Sequence, residues 1–320
     1  MGIAPPDVGS IAFPFAHIGG PDYLINVLTS GFPAVLLEAF VPTEAIRVFR
    51  RHGVTVAGGS TAFYTAFLAE QRKQPGEKIV PTLRLLSGGG APKPPEIFYE
   101  VQREMGVIVA HGYGMTEVPM ITQGSPTDSD EALANSEGAP VLGATIKIVR
   151  EDGSLAPTGV EGEVRVSGPM VCKGYTDPAL DAAAFDEDGF FRTGDLGHVR
   201  PDGHVTLTGR LKDVIIRKGE NISAKEVEDL LYQHPQIGDV AVVGVPDRER
   251  GERVCAVIEV ASGQEAPTLP ALAAYLQEVG LMVQKIPEQL EVVDQLPRNA
   301  TLKVLKYQLR DQLAAKPWSP

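Results

Sequence analysis

The sequence predicts an α/β protein in three parts: a layered α/β region to about residue 140, a β-rich region over 141–209, and a small α+β unit over 210–320. Three observations carry this. In the first half, short apolar runs alternate with amphipathic stretches, the pattern of helices packed on a sheet. From about Val141, Gly-centred turns such as Glu151–Gly153 and Pro201–Gly203 separate short alternating strands. Beyond Gly209, two β-branched runs are interleaved with helical stretches that begin at hydroxyl residues.

Taken in order, Val54–Ala57 reads as a strand, and Ser60 is placed to cap a helix through Phe63, Phe67 and Leu68. Leu83–Leu86 is a second strand running into Ser87–Ala91. A helix follows with Pro94 or Pro95 in its first turn and Ile97, Val101 and Met105 on one face. Val107–Ala110 is a third strand, delivering His111–Glu117 to its carboxyl end, the edge where open α/β sheets bind ligands. Strands at Ile146–Val149, Glu163–Ser167 and His204–Thr208 form the β-rich part. In the last part, Ser223 and Glu226 make a capping box for a helix through Leu230 and Leu231. Strands at Asp239–Gly244 and Arg253–Val260 precede a helix over Pro270–Leu281 capped by Thr268. A strand at Glu291–Val293 and a helix containing Leu305, Leu309 and Leu313 close the chain. The domain boundary is expected at Gly209–Lys212.

The formal charge is −12, and most of the acidic excess precedes Gly209. An acidic field argues against nucleic acid, which needs a basic footprint, but allows nucleotides or coenzyme A on local basic clusters. Cys172 and Cys255 are the only cysteines and read as free thiols in a reducing compartment. Met1 is followed by neither a basic nor an apolar signal segment. The apolar zone Ile11–Phe40 is broken by Pro14, His17, Asp22 and Pro33, and a span needs roughly 20 apolar residues. A cytoplasmic protein is expected.

Several short stretches carry chemistry. Three glycines in Ser87–Pro92 let the backbone approach a flat or phosphorylated ligand, though an ordinary strand-to-helix connection reads the same way. In His111–Glu117, Gly112 and Gly114 flank Tyr113. Tyr113 can stack on a purine, Thr116 can donate to a phosphate or acyl oxygen, and Glu117 can offer Mg²⁺ a hard oxygen. A tight loop with Tyr113 as a core plug is the alternative. Asp195 can accept both hydroxyls of a ribose, or stabilise its turn. Arg217, Lys218 and Gly219 form a basic turn or a solvated face. His17, within Phe13–Gly20, is a pocket wall or a core histidine; Tyr23, Leu24 and Leu28 beside it suit an apolar ligand or a core.

The stretch Phe191–Glu228 strings together Asp195, a hairpin, Arg210-x-Lys212 and a Gly-Glu-Asn turn before a capped helix. With His111–Glu117 and Pro297–Lys303, it resembles the signature of the adenylate-forming enzymes: acyl-CoA synthetases, peptide-synthetase adenylation domains and luciferases. The resemblance runs from the His17 segment to Lys303, with the motifs in family order. It implies the C-terminal part of the large layered α/β domain with its β-hairpin subdomain, then a small mobile α+β domain. Gly89, Gly90, Ala91 and Pro92 would lie along adenine and ribose, joined at the nucleotide by His111, Gly112, Tyr113 and Gly114. Asp195 would bind the ribose, and Arg210 the ribose or phosphates. Glu117 would be a magnesium ligand beside Thr116, and Lys303 would reach the α-phosphate and the acyl carboxylate. Lys212 would be the hinge, Lys218 and Gly219 would line a coenzyme A tunnel, and His17 would border the acyl pocket. Leu302 stands where the family has Gly, and Asn299 where it has Thr, with Thr301 nearby. A leucine does not easily take positive φ, so this loop is expected to be reshaped.

The implied chemistry has two steps. A carboxylate attacks the α-phosphate of ATP with Mg²⁺ present, giving acyl-adenylate and pyrophosphate; a coenzyme A thiol then displaces AMP. The expected substrate is a fatty or other apolar acid, with ATP, Mg²⁺ and coenzyme A, and without nucleic acid or a membrane span. An adenylation domain loading a carrier protein, and a catalytically silent AMP- or acyl-binding subunit, are the alternatives. The family's phosphate loop, ending in Pro-Lys-Gly, is not found in these 320 residues. The chain therefore reads as a truncated or split form that begins within the large domain, with a second chain supplying the rest and homo-oligomerisation both left open. Losing one oxyanion donor costs about 10²–10³ in rate, so adenylation from ATP by this chain alone is expected to be weak or absent.

Overall fold

The structure is a computed structural model and describes residues 2–3, 6–91, 93–299 and 302–316. Pro92 and Thr301 lie outside the described residues. By packing, the chain divides into a unit of Met1–Thr193 with Gly197–Leu207, and a unit of Gly194–Leu196 with Thr208–Pro320. The division falls just before Gly209 and assigns Asp195 to the same unit as Arg210.

In the first unit, β1 (Gly9–Ile11), α1 (Gly19–Ser30), β2 (Ala34–Leu36) and α2 (Pro42–His52) come first, with β1 and β2 parallel. No element was expected here from the sequence: the strands are three residues long, and α1 starts without a side-chain cap. Next come β3 (Val56–Gly59), α3 (Thr61–Arg72), β4 (Leu85–Gly88), α4 (Pro95–Met105) and β5 (Ile108–Tyr113). β3, β4 and β5 are parallel, and β6 (Thr122–Gln123) and β7 (Ala139–Pro140) extend the sheet antiparallel. Strands expected to begin at Val54 and Leu83 begin two residues later. Val54 N donates instead to Phe49 O at 3.0 Å and Leu83 N to Val80 O at 3.1 Å, so both residues serve turns. β5 runs further than expected and carries His111–Tyr113 on the strand itself. Ser60 occupies the cap position of α3 but makes no capping bond. Burial of Phe63, Tyr64, Phe67 and Leu68 holds that helix instead.

Between β6 and β7 lies α5 (Asp130–Asn135), capped by Ser129. The β-rich part follows with β8 (Thr145–Val149), β9 (Gly162–Ser167), a short α6 (Asp181–Ala184), β10 (Phe191–Val199) and β11 (Val205–Arg210), in sheet order β11-β10-β9-β8.

The second unit opens with β12 (Val214–Arg217) and β13 (Glu220–Ser223). They form a hairpin closed by Lys218 and Gly219, with φ of 50° and 84°. Two consecutive positive φ values are what a two-residue hairpin turn of matching twist requires. Then come α7 (Ala224–Leu231), β14 (Ile237–Asp247), β15 (Gly251–Val260), α8 (Leu269–Glu278), β16 (Gln289–Val292) and α9 (Lys306–Ala314). Half of the expected capping box forms. Ser223 Oγ accepts from Glu226 N at 3.3 Å, while the Glu226 carboxylate pairs with Lys285 at 2.6 Å. Side chains of β14 alternate between two cores. Val240 and Val242 face α7 and α8 residues such as Val227 and Leu272, while Ala241, Val243 and Val245 join Leu309 and Leu313. No helix among the described residues is long and apolar enough to cross a membrane.

Candidate active site

The first unit holds a cleft whose wall combines glycine backbone with aromatic and polar side chains. Its lining includes Phe13, His17, Asp22, Tyr23 and Asn26, the Ser87–Gly90 turn, Gly112–Gly114, Met120 and Gln123. Sheet register explains the glycines. Gly88 pairs with both Gly59 and His111, and a Cβ on Gly88 would stand 1.7 Å from Gly59 O. A Cβ on Gly89 would meet Gly112 O at 2.4 Å, and one on Gly114 would meet Pro119 O at 2.1 Å. Gly90 has φ +87° with open space before it. Strand packing thus requires glycine at three positions, and the loop conformation requires it at Gly90.

His111 is buried, and its Nε2 donates to Ala91 O at 3.0 Å, which sets that nitrogen as the protonated one. It ties the two glycine segments together and offers the cleft no ring surface. Tyr113 borders the cleft and also packs with Val118, Ile121 and Val164 in the β-rich core, so much of its ring is committed to the interior. Thr116 is exposed. Glu117 accepts from Tyr175 Oη at 2.8 Å, and burial together with this bond pushes the Tyr175 phenol up to about 12. No group of three or more His, Cys, Asp or Glu side chains is placed to hold a metal among the described residues. Mg²⁺ usually keeps waters and takes one or two carboxylates plus phosphates, so Glu117 alone fits such a site. Nothing in the sequence pointed to Tyr175, 58 positions away.

His17 is half-buried, stacked on Phe13 with centroids 5.6 Å apart, and its Nδ1 accepts from Gly19 N at 3.1 Å. It is a wall element held by local bonding. Tyr23 donates to Ser87 O, and burial lifts its phenol above the ordinary range.

A second group lies within the second unit. Arg210 Nε donates to Asp195 Oδ1 at 2.6 Å, and the Asp195 side chain is only 3 % exposed. That carboxylate is turned to Arg210 through Oδ1. Lys303 is half-buried and makes no ion pair within 4 Å among the described residues. Burial holds its ammonium below the ordinary lysine range. Arg210 and Lys212 push the same way, and Asp195 and Asp213 oppose them. Lys212 is exposed on a short turn, Leu211–Asp213, between β11 and β12. Lys218 and Gly219 sit at the exposed tip of the β12–β13 hairpin. Arg217 is not a solvated face: its Nε donates to Glu288 at 2.8 Å, and Arg250 joins the same carboxylate at 3.0 Å.

The loop before Lys303 corrects an expectation. Leu302 does adopt positive φ, at 63°, as the glycine it replaces would. Asn299 makes the loop's closing bonds, its Oδ1 accepting from Lys303 N at 2.9 Å.

The first unit offers a cleft lined in part by glycines, and the second unit offers a lysine near an Asp–Arg pair. Residues 4–176 match the AMP-binding enzyme family, and residues 226–303 match the AMP-binding enzyme C-terminal domain. The chain belongs to the AMP-binding enzymes. It is 33% identical over 311 residues to a medium-chain fatty-acid–CoA ligase of Escherichia coli (strain K12), covering 96% of this chain and 54% of that one. It is 35% identical over 305 residues to a salicyl-AMP ligase / salicyl-S-ArCP synthetase of Mycobacterium tuberculosis (strain ATCC 25618 / H37Rv), covering 94% and 52%. The crystal structure of ATP-bound MatB from Rhodopseudomonas palustris superposes with a TM-score of 0.89 at 32% identity, covering 98% of this chain and 61% of that chain. The chain thus spans about half the length of the curated relatives it matches.

Proposed function

We propose that this chain carries the nucleotide, acyl and thiol-transfer residues of an AMP-forming acid–thiol ligase that works through an acyl-adenylate. The observation that carries the reading is Lys303, a partly buried cation with no ion pair among the described residues, beside Asp195 and Arg210. A lone cation there favours the charge that grows on an α-phosphate as a carboxylate oxygen bonds to phosphorus and pyrophosphate leaves. Gly89, Gly90, Gly112 and Gly114 give the nucleotide a flat backbone surface, and Ala91 and Tyr113 border it. Asp195 and Arg210 serve the ribose and phosphates, and Thr116 donates to the reacting oxygens. Glu117 would hold Mg²⁺, which supplies charge neutralisation when bound. His17 and Phe13 wall the acyl side. Lys212, exposed on the short turn between β11 and β12, stands at an element-terminal position of the kind a hinge uses.

Coenzyme A is the favoured thiol acceptor, in line with the named activity of the fatty-acid relative, with Lys218 and Gly219 presenting an exposed tip to it. A carrier-protein thiol is the second reading, supported by the salicyl-S-ArCP relative. Two free cysteines suit a cytoplasmic location. The test measures thioester formation from synthetic acyl-adenylate plus coenzyme A, beside pyrophosphate release from ATP plus an acid panel. Thioester that is lost in Asp195→Ala supports the reading. AMP binding with no turnover of either kind would replace the ligase with a binding subunit.

A further inference from the structure

Lys303 follows directly on Leu302, whose left-handed backbone a leucine side chain disfavours. Among the described residues, Lys218 is the only other non-glycine with positive φ, and it sits at a hairpin tip. Something must hold Leu302 in place. Asn299 N donates to Lys303 O at 3.0 Å, Leu302 N donates to Asn299 O at 2.9 Å, and Asn299 Oδ1 accepts from Lys303 N. These bonds close the loop on itself, so they leave its direction open.

Among the described residues, Arg298 ties the Leu302 carbonyl to the sheet. One terminal nitrogen of its guanidinium donates to Leu302 O, and the other donates to the Asp239 carboxylate on β14. Asp239 is itself held twice, by Tyr232 Oη and by Val240 N at 2.8 Å. The β14–β15 register shifts between Ile237 and Asp239, a bulge that re-aims the side chain following it. The planar guanidinium can span a carbonyl and a carboxylate at once, which a single ammonium does less well. Hydrogen bonds from a charged donor outweigh the cost of one left-handed residue.

We propose that Arg298, anchored on Asp239 and Tyr232, is a positioning residue that keeps Leu302 left-handed and so aims the Lys303 ammonium. The catalytic meaning of that aim rests on the ligase reading above; the tie itself does not.

The test reads Lys303 without turnover. The full chain is reductively ¹³C-methylated, and its lysine resonances are titrated by NMR, with Lys303→Arg giving the assignment. In the parent, Lys303 titrates below a free dimethyl-lysine reference. In Arg298→Lys and in Asp239→Asn, its midpoint moves up to the reference as the loop swings into water. Adding Leu302→Gly to Arg298→Lys returns it toward the parent midpoint, because glycine takes positive φ without the penalty that a leucine side chain carries. An unchanged midpoint in both single variants overturns the proposal, as does failure of Leu302→Gly to restore it. If Arg298→Lys does not fold, Asp239→Asn and Tyr232→Phe read the same tie. Failure of the ligase reading would show separately, as AMP binding with no turnover of acyl-adenylate or of ATP, while the titration result stands.

Discussion

Arg210 and Asp195 form an ion pair of 2.6 Å that leaves the aspartate almost without solvent contact. The pair fixes the position of the carboxylate, and if Asp195 serves a ribose as proposed, the guanidinium already holds one of its two oxygens.

The first prediction follows from that pairing. Asp195→Ala removes the ribose acceptor and leaves Arg210 without its partner. A hydrogen bond to a charged group is worth about 1.5–3 kcal/mol, so AMP affinity should fall by roughly tenfold or more. Calorimetric titration with AMP checks this; an affinity within twofold of the parent would remove Asp195 from the nucleotide site.

Leu302 yields a second. A left-handed non-glycine residue costs about 1–2 kcal/mol, and glycine gives back about 0.5–1 kcal/mol in chain entropy. Leu302→Gly should therefore stabilise the second unit by about 0.5–1 kcal/mol. Urea unfolding followed by Tyr fluorescence measures it, and a loss of stability would mean the leucine side chain contributes more packing than its backbone costs.

The third concerns Glu228, which is buried on α7, accepts from Val242 N at 2.6 Å and pairs with Lys306 at 2.7 Å. Burial raises its pKa despite both partners. A carboxyl whose folded pKa lies above its unfolded value favours the folded state while protonated, and that contribution is lost as pH rises through the folded pKa. The stability of the parent relative to Glu228→Gln should thus decline from about pH 4.5, near the unfolded value, towards neutrality. Urea midpoints at four or five pH values decide it; a flat or rising difference would contradict the raised pKa.

Glu117 and Tyr175 give the fourth. Tyr175→Phe frees the carboxylate oxygen that its hydroxyl now occupies, while Glu117→Gln removes the charge. Mg²⁺ should promote ATP binding more strongly in Tyr175→Phe, and the metal dependence should largely vanish in Glu117→Gln. Nucleotide titrations with and without Mg²⁺ would show equal dependence in all three proteins if the metal sits elsewhere.

Much of the fold was legible because apolar periodicity and turn chemistry agree locally. The helix with Ile97, Val101 and Met105 on one face buries those three side chains, and Thr268 caps its helix through Ala271 N. The region of β1, α1, β2 and α2 was not legible. Its strands are three residues long and α1 lacks a side-chain cap, so neither periodicity nor capping gave a signal. At the site, motif residues stood out where glycines crowd the backbone, as at Gly88 and Gly114. Partners supplied by tertiary pairing did not. Tyr175 meets Glu117 across 58 positions and Arg298 meets Asp239 across 59, and no local pattern encodes either meeting. The positive φ of Leu302 was not expected, since the Arg298 bond to its carbonyl is in turn held by Asp239 on β14.

The assignment of Gly194–Leu196 to the same unit as residues 208–320 bears on how such a protein can be recombined. A crossover placed at residue 208 would exchange Arg210 and Lys303 for those of a donor but leave Asp195 with the recipient. Each hybrid would then pair an aspartate and an arginine that never evolved together. Chimeras joined before Gly194 keep the pair intact and are the ones to build.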